Sequence, residues 1–443
     1  MTLRFTSSRR SRGLFAYATC VALSAGALTA CGSGSGSGSD GAMTLQVWGD
    51  AKYAQDQFKV YQQQYPDQAE GQSLKVLSAG QNDTDSVNKF RLELSSHRGI
   101  PDILQLNYAE VPEFAEAGLL ADVQPYAAPY LKNVTTAAQK LMQYDGTYVA
   151  FPYEVKTKIW YYRKDLFQAA GIDVTKIRTQ ADFVAAGKAL HEKFPKSYIW
   201  NLGPNPATYD WQMITAGNGA RYSTKSPCAF TVGTDPGTAQ AFKAVKDLRA
   251  SGVVDTKTDD WSPQWQSGLA DGTIASTLNA SWLPSFLQQY APKLSGKWGV
   301  TTWPEIGGAV GGSESAGSVF VIPKASKHKE QAAAFLAHTL MEAKGAKAYW
   351  KISGGYVPNV VSLQNDPDIA NNPYFGTDLM NAVKAAEPDY KVFPYDPVAN
   401  KEQTSLSNAM SKYLSSDDAS PASFLQGAQK ELSAQVGCPY TQH

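Results

Sequence analysis

Short apolar runs alternate with longer stretches of helical periodicity along this 443-residue chain. The apolar runs predict strands at 44–48, 74–77, 102–106, 148–151, 159–162, 297–302 and 319–322. Helical spacing predicts helices around Phe58 and Tyr61, after a Thr84 cap, and at 111–117, 166–170, 180–193, 238–251 and 281–290. After Lys324 the pattern is mostly helical. Strands that alternate with helices indicate an α/β fold whose sheets are mainly parallel and covered on both faces.

The length of the patterned region bears on the number of lobes. About 400 residues of α/β pattern are too many for one sheet, and no single linker divides them. We therefore predict two interwoven lobes, with the chain crossing between them more than once.

The N-terminus carries a targeting signal. An apolar stretch from Leu14 follows four arginines and ends in small residues at Ala30, which is typical of a secretory signal peptide over 1–30. The next residue, Cys31, resembles the lipobox cysteine of bacterial lipoproteins. The resemblance implies lipidation of Cys31 and stable attachment to the cell membrane through more than one acyl chain, with 31–42 as a flexible Gly/Ser tether. An uncleaved membrane anchor is the alternative, and both place the working part outside the cytoplasm.

Composition excludes some partners. The chain has formal net charge zero, and without the four signal arginines it carries 36 basic against 40 acidic residues, with no Lys/Arg block. Nucleic-acid binding therefore has no electrostatic basis. Two cysteines remain after Cys20 leaves with the signal and Cys31 is lipidated. Outside the cytoplasm we predict a disulfide between Cys228 and Cys438, with two separate buried thiols as the alternative.

Enzymatic motifs are scarce. The sequence has no P-loop, dinucleotide fingerprint or nucleophile elbow, and its five histidines never stand at i, i+4 spacing, so no metal or cofactor is predicted. Paired carboxylates are the one catalytic possibility, because a glycosidase needs two at a defined gap. The candidates are Asp50, Glu154, Asp210, Glu305 and Glu314. A cleft that binds sugar hydroxyls needs carboxylates as well.

Aromatic residues make up 11% of the chain, and many stand beside Gly, Asn, Asp or Pro rather than among aliphatics. Such positions are typical of turns at strand ends, and together they favour a cleft lined by rings. Aromatic rings pack against the C–H faces of sugars, and polar side chains satisfy the hydroxyl groups.

Several dispersed segments resemble the extracellular sugar-binding proteins of ABC importers, the maltose-binding-protein-like solute-binding family 1. The similar segments are 101–106, 113–120, 160–172, 326–333 and 354–358. The resemblance implies a type II periplasmic-binding-protein-like fold of two lobes joined by hinge crossovers, with the solute held in the cleft. We expect an N-terminal lobe of 43–154 and 315–370, and a C-terminal lobe of 155–314 and 371–443.

The resemblance also implies site residues at the strand ends and crossovers. These are Trp48, Asp50, Asn107, Tyr108, Tyr153, Glu154, Trp211, Asn279, Trp282 and Tyr356, and Trp303 and Glu314 are added where the chain departs from the family pattern. Trp211 and Trp282 are the favoured ring platforms of the second lobe. Relatives often read Asn-Trp-Gly-Gly where this chain has 314–317, so a platform is missing there, and Trp303 is the candidate replacement.

We predict a lipid-anchored, monomeric binding protein, without enzymatic activity, that traps a sugar or oligosaccharide by hinge closure and delivers it to an ABC permease. Three alternatives remain: a lipid-anchored glycoside hydrolase, a binder of non-sugar solutes on the same fold, and a structural surface lipoprotein.

Overall fold

The computed structural model describes residues 42–49, 51–80, 82–205, 208–313, 317–352 and 357–440, without the side chains of 208–210 and 389. The signal peptide, Cys31 and most of the tether lie outside the described residues. Within the described part of the chain, no helix combines the length and apolar character that a membrane span requires.

The strands are β1 (Met43–Val47), β2 (Leu74–Ser78), β3 (Ile103–Asn107), β4 (Gln143–Tyr144), β5 (Thr147–Tyr148), β6 (Ala150–Glu154), β7 (Lys158–Arg163), β8 (Trp200–Asn201), β9 (Ser223–Lys225), β10 (Cys228–Phe230), β11 (Val254–Asp255), β12 (Ser276–Ala280), β13 (Trp298–Thr301) and β14 (Ser318–Val321). The first helices are α1 (Lys52–Gln64), α2 (Pro66–Ala69), α3 (Asp83–Ser96), α4 (Val111–Glu116), α5 (Gln124–Ala127), α6 (Thr136–Leu141), α7 (Lys164–Ala169), α8 (Gln180–Lys193) and α9 (Thr208–Asn218). The remaining helices are α10 (Pro236–Ala250), α11 (Pro263–Asp271), α12 (Leu283–Tyr290), α13 (Lys329–Leu340), α14 (Ala343–Ile352), α15 (Pro367–Ala370), α16 (Asp378–Ala386), α17 (Ala399–Leu414) and α18 (Ala422–Val436). Short 3₁₀ turns lie at Tyr108–Glu110, Ala128–Asn133, Val174–Lys176, Pro292–Leu294, Val361–Asn365 and Glu387–Asp389.

The larger sheet has five strands in the order β2-β1-β3-β14-β6. β1 is parallel to β2 and β3, whereas β14 is antiparallel to both of its neighbours. Consecutive residues such as Ile103 and Leu104 are both fully buried, so side chains on the two faces of β3 are covered. The amphipathic helix α1 packs against α13 and α14 on this sheet, with the rings of Phe58 and Phe335 5.3 Å apart.

The smaller sheet has three strands in the order β12-β7-β13, and β7 is antiparallel to both neighbours. β12 and β13 therefore run in the same direction. The short parallel pair β8 and β11 lies beside it, through a parallel bridge between Tyr198 and Ile274. The α/β architecture predicted from the sequence is confirmed. In the larger sheet the two pairings of β14 are antiparallel and the other two are parallel, whereas in the smaller sheet both pairings, those of β7, are antiparallel. The sequence pattern predicted mainly parallel sheets and did not indicate these reversed strands.

The reversed strands are the ones by which the chain changes sheet. The chain leaves the larger sheet at the end of β6 and enters the smaller one through β7 after three residues. It returns from β13 to the larger sheet through β14. Interweaving of this kind was expected, and the lobe boundaries near 155, 315 and 371 stay a prediction.

One local expectation is corrected. The helix that carries Val87 and Phe90 begins at Asp83, and its cap is Asn82 rather than Thr84. The Asn82 side-chain oxygen accepts a hydrogen bond from the Asp85 N–H at 2.9 Å. Asparagine has the stronger N-cap preference of the two residues, which explains the earlier start.

A disulfide joins Cys228 of β10 to Cys438, which follows α18, with the two Cα atoms 5.6 Å apart. It closes a loop of 210 residues. In the chain-entropy account, closing so long a loop contributes about 5 kcal/mol, and measured values are often lower. The bond ties the C-terminal segment to the β9–β10 hairpin.

Replacing both cysteines by serine should lower the free energy of unfolding by about 3 kcal/mol, because the unfolded chain regains the freedom of that loop. Urea denaturation of the mature protein measures the loss. Reductant should produce a similar loss in the wild-type protein and none in the double variant. A wild-type midpoint that reductant leaves unchanged would contradict a stabilising role.

Candidate functional site

A cavity of about 440 Å³ opens where several strands of the larger sheet end. Trp48 follows β1, Asn107 ends β3 and Glu154 ends β6. Ser318 begins β14, and because β14 runs in the opposite direction its first residue reaches the same edge. In open α/β sheets, ligands bind outside the carboxyl ends of the strands. The volume lies within the range of small-molecule sites.

Glu154 supplies an unsatisfied acceptor to the cavity. Its Oε2 lies 3.4 Å from the Lys156 Nζ, while its Oε1 is buried and has no hydrogen-bond partner among the described residues. Burial raises the pKa of Glu154, and the nearby Lys156 partly opposes that shift. A carboxylate oxygen in this position can accept a strong hydrogen bond from a ligand hydroxyl.

Gln57 of α1 supplies a second acceptor. It is fully buried and lines the cavity, and its side-chain amide donates to the Thr339 Oγ1 at 2.9 Å. The Thr339 hydroxyl in turn donates to the Phe335 carbonyl at 2.7 Å, so its oxygen is left to accept from Gln57. This chain orients the amide, and the Gln57 Oε1 has no partner among the described residues.

Asn107 is held in place by the residues around it. Its side-chain amide donates to the Asp83 carboxylate, and its oxygen accepts from the Ser318 hydroxyl at 3.3 Å. Its backbone N–H donates to Glu110 at 3.1 Å. Burial raises the pKa of Glu110 to about 8, with the Asp83 charge adding to the shift. This polar cluster fixes the end of β3 at the cavity edge.

Tyr153 and Tyr349 contribute an aromatic surface. The Tyr349 hydroxyl donates to the Tyr153 hydroxyl at 3.1 Å, and the Tyr153 ring lies 4.8 Å from that of Phe320. Burial raises the pKa of Tyr153 well above its ordinary value, so its hydroxyl stays protonated at neutral pH. Both tyrosines line the cavity on the side of the larger sheet.

The facing wall is made of three rings next to the smaller sheet. Trp282 precedes α12, Phe286 lies one turn into that helix, and Trp261 stands just before α11. The Trp261 and Trp282 rings stack with centroids 4.9 Å apart, and Phe286 meets each at 5.4 Å. This ring wall is apolar, whereas the larger sheet offers both rings and polar groups.

Five predicted site residues therefore line one cavity: Trp48, Asn107, Tyr153, Glu154 and Trp282. Three others, Asp50, Glu314 and Tyr356, lie outside the described residues.

The structure places Tyr108 and Asn279 away from the cavity lining. Both are buried. The Tyr108 hydroxyl donates to the Gln143 carbonyl at 2.9 Å, and its ring contacts that of Tyr395. The Asn279 side-chain oxygen accepts from the Ala280 N–H at 2.8 Å. Neither side chain lines the cavity.

Trp211 and Trp303 lie in the core. Trp211 is fully buried inside α9, with its ring 5.8 Å from that of Phe242. Its context of Tyr, Asp and Trp suggested a turn, but it belongs to a helix whose buried face packs on α10. Trp303 is buried, and its indole N–H donates to the Ile159 carbonyl at 3.0 Å. Neither ring offers a face to the cavity.

Sequence reasoning missed Gln57, Trp261, Phe286 and Tyr349 among the cavity residues. Trp261 stands between Asp260 and Ser262, the same turn-like context that was used to select other aromatics, so this signal was present. Gln57 lies inside a helix among mixed residues and had no distinguishing signal.

No group of three or more His, Cys, Asp and Glu residues suited to a metal occurs in the parts of the chain that the structure describes.

The sequence profile of the family described as bacterial extracellular solute-binding protein matches residues 59–377. An arabinooligosaccharide-binding protein of Halalkalibacterium halodurans is 24% identical over 418 residues, 90% of this chain and 90% of that protein. The diacetylchitobiose binding protein DasA of Streptomyces coelicolor is 24% identical over 274 residues, 61% of this chain and 63% of that protein.

Solved structures show the same fold. The sugar-binding protein MalE from Xanthomonas citri matches with a TM-score of 0.75 at 20% identity, over 90% of this chain and 98% of that one. The galacto-N-biose-/lacto-N-biose I-binding protein of Bifidobacterium longum, in complex with lacto-N-biose, matches with a TM-score of 0.72 at 22% identity, over 92% and 100% of the two chains. The fold is the two-lobe arrangement of periplasmic binding proteins.

Proposed function

Because the chain belongs to the bacterial extracellular solute-binding protein family, we propose that it binds an uncharged oligosaccharide and delivers it to the permease of an ABC importer. The solute leaves the site chemically unchanged, since the protein acts as a binder and not as a hydrolase. The protein works as a monomer outside the cytoplasm.

The observation that carries the proposal is the pairing of two acceptors with an aromatic wall. The Glu154 Oε1 and the Gln57 Oε1 are buried and have no partner among the described residues. An unmade hydrogen bond of this kind costs about 1–3 kcal/mol, which a ligand hydroxyl would recover. Rings on both sides of the cavity provide surfaces for the C–H faces of a sugar.

The charges of the cavity favour an uncharged solute. Among the described lining residues, Glu154 and Lys156 are the charged side chains, and they face each other at 3.4 Å. The pair is close to neutral as a unit, so neither a phosphate nor an amine finds an unmatched charge among the described lining residues. The two relatives that bind an arabinooligosaccharide and diacetylchitobiose by name support the same ligand class.

Binding is coupled to closure of the two lobes. Polar groups come from the larger sheet and the ring wall stands next to the smaller one, so one sugar touches both. A ligand that bridges both walls stabilises the closed arrangement by contacts that the open arrangement lacks. The crossover at 155–157 begins directly after Glu154, so the bend lies next to a ligand contact.

Isothermal titration of the mature protein with a panel of solutes tests the proposal. The panel includes arabinooligosaccharides, diacetylchitobiose, galactobiose, lacto-N-biose, maltooligosaccharides, a uronic-acid oligosaccharide and a peptide. We expect micromolar or tighter affinity, about 8 kcal/mol or more, for one neutral class, with the sugar recovered intact. The proposal would be refuted if only the peptide gave a heat of binding, or if none of the solutes did.

Substitution of Glu154 by Gln should weaken sugar binding about tenfold at neutral pH, because a charge-assisted hydrogen bond becomes a neutral one. The raised pKa of Glu154 predicts that wild-type affinity falls as the pH drops toward that pKa, since protonation removes the anionic acceptor. The difference between the wild type and the variant should therefore shrink in acid. Titration calorimetry across pH measures both effects.

Glu431→Gln on α18 is the matched control, since this exposed residue does not line the cavity. It should leave both the affinity and its pH profile unchanged. Equal affinities of the wild type and the Glu154 variant at every pH would exclude Glu154 as a ligand contact.

We also propose that the lipid anchor is attached to Cys31, on the evidence of its sequence context. Cys31→Ser should move the protein from the membrane fraction to the soluble fraction of cells that express the full chain, because the acyl chains are lost. Cys20→Ser, inside the signal, is the matched control and should leave the protein in the membrane fraction. Membrane retention of both variants would favour an uncleaved anchor.

A further inference from the structure

Trp261 is the more exposed of the two indoles in the ring wall of the cavity. Its indole stacks on Trp282 with an interplanar angle of 25° and covers one face of it. Trp261 is 44% exposed, whereas Trp282 is only 7% exposed. The predicted platform Trp282 therefore backs a second indole that reaches further into the cavity.

The backbone of Trp261 has an unusual conformation. Its φ is +68°, in the left-handed region that L residues other than Asn, Asp and His seldom adopt. A bulky residue stays in this region only where the surrounding structure holds it, and such positions are concentrated at functional sites.

Asn201 anchors both sides of Trp261. It is buried on β8, and its side-chain amide donates to the Asp260 Oδ1 at 2.7 Å and to the Thr258 carbonyl at 3.2 Å. Its side-chain oxygen accepts from the Trp265 indole N–H at 3.2 Å. Asn201 thus fixes the residue before Trp261 and the helix after it, without lining the cavity itself.

The ionisation of the Asp260 carboxyl depends on the hydrogen bond from Asn201. Burial raises its pKa to about 6, the negative charge of Asp259 adds to the shift, and the hydrogen bond from Asn201 opposes both. An ionised Asp260 at neutral pH is therefore stabilised by the Asn201 amide. Asp259 itself accepts from the Asn205 backbone N–H and side chain at 3.0 and 2.8 Å.

We infer that Trp261 is the platform on which the sugar packs, and that Asn201 and Asp260 are positioning residues that aim its ring into the cavity. This inference rests on the proposed carbohydrate function, and it names which ring of the site determines affinity.

Substitutions of Trp261 test whether its ring is the platform for the sugar. Trp261→Ala should weaken binding of a sugar that the wild type binds by about tenfold or more, because the packing surface is lost, and Trp261→Phe should restore part of the affinity. Leu92→Ala, which truncates an exposed apolar residue of α3 outside the cavity, should change nothing. Unchanged or tighter binding by Trp261→Ala would overturn the inference, since the ring would then be idle or would occupy the place of the sugar on Trp282.

An exchange of donor and acceptor between Asn201 and Asp260 tests whether these residues position the ring. Asn201→Asp sets two carboxylates against each other and should weaken binding about tenfold. The double variant Asn201→Asp with Asp260→Asn restores one donor and one acceptor, and it keeps an acceptor for the Trp265 indole, so it should recover affinity to within about threefold. A role confined to fold stability would lower the melting temperature of the single variant and leave the affinity of its folded fraction unchanged. Equal affinities in the single and double variants would overturn the positioning role.

Two further readouts separate the possible failures. Thermal melts first establish that all three proteins are folded. Without sugar, acrylamide should then quench the tryptophan fluorescence of Asn201→Asp to a different extent from that of the wild type. In the double variant the extent of quenching should return to the wild-type value. If the wild type binds no sugar of the panel, the proposed function fails and this inference fails with it. If the wild type binds and Trp261→Ala binds equally, only this inference fails.

Discussion

The two strands that carry the chain from one sheet to the other determine where the cavity lies. β7 and β14 enter their sheets antiparallel to both neighbours, so the segments before them run side by side. The Lys158 N–H donates to the Ser313 carbonyl at 3.3 Å, and Ser318 pairs with Glu154. A Cβ at Gly317 would lie 3.1 Å from the Glu154 carbonyl, which leaves little room for a side chain there. This close approach sets one edge of the larger sheet next to the ring wall.

Buried Asn359 secures the same junction from a third segment. Its amide donates to the carbonyls of Pro152 at 2.9 Å and Tyr153 at 3.2 Å, and its oxygen accepts from the Val155 N–H at 3.3 Å. The backbone on either side of Glu154 is thereby satisfied, while one oxygen of the Glu154 side chain is not. These hydrogen bonds hold the strand end, and the proposed function assigns the unsatisfied side-chain oxygen to a ligand hydroxyl. Unpaired buried acceptors lower the stability of the empty protein, and such local conflicts are expected at functional sites.

Local patterns were informative where the signal is local. Short apolar runs located the strands of the larger sheet and two of the three strands of the smaller one, whereas β12 was not predicted. Family resemblance led to Trp48, Asn107 and Glu154, which stand at strand ends that meet at one edge of the larger sheet. The same reasoning failed for Trp211, since a polar neighbour on each side of an aromatic does not separate a loop from the buried face of α9. Gln57 had no local signal at all. The orientation of its amide depends on a hydrogen bond to Thr339, which is 282 positions away in the sequence.

The sequence by itself determined the class of fold and, through its segments of family resemblance, the class of solute-binding protein, because periodicity and short motifs are written in consecutive residues. It also limited the pairing of the cysteines, since two remained once Cys20 and Cys31 had other fates. Only the tertiary structure decided which rings form the wall, that Trp261 covers Trp282, and which buried oxygens lack a partner. Those properties depend on distances between segments far apart in the chain, and no local pattern encodes such distances.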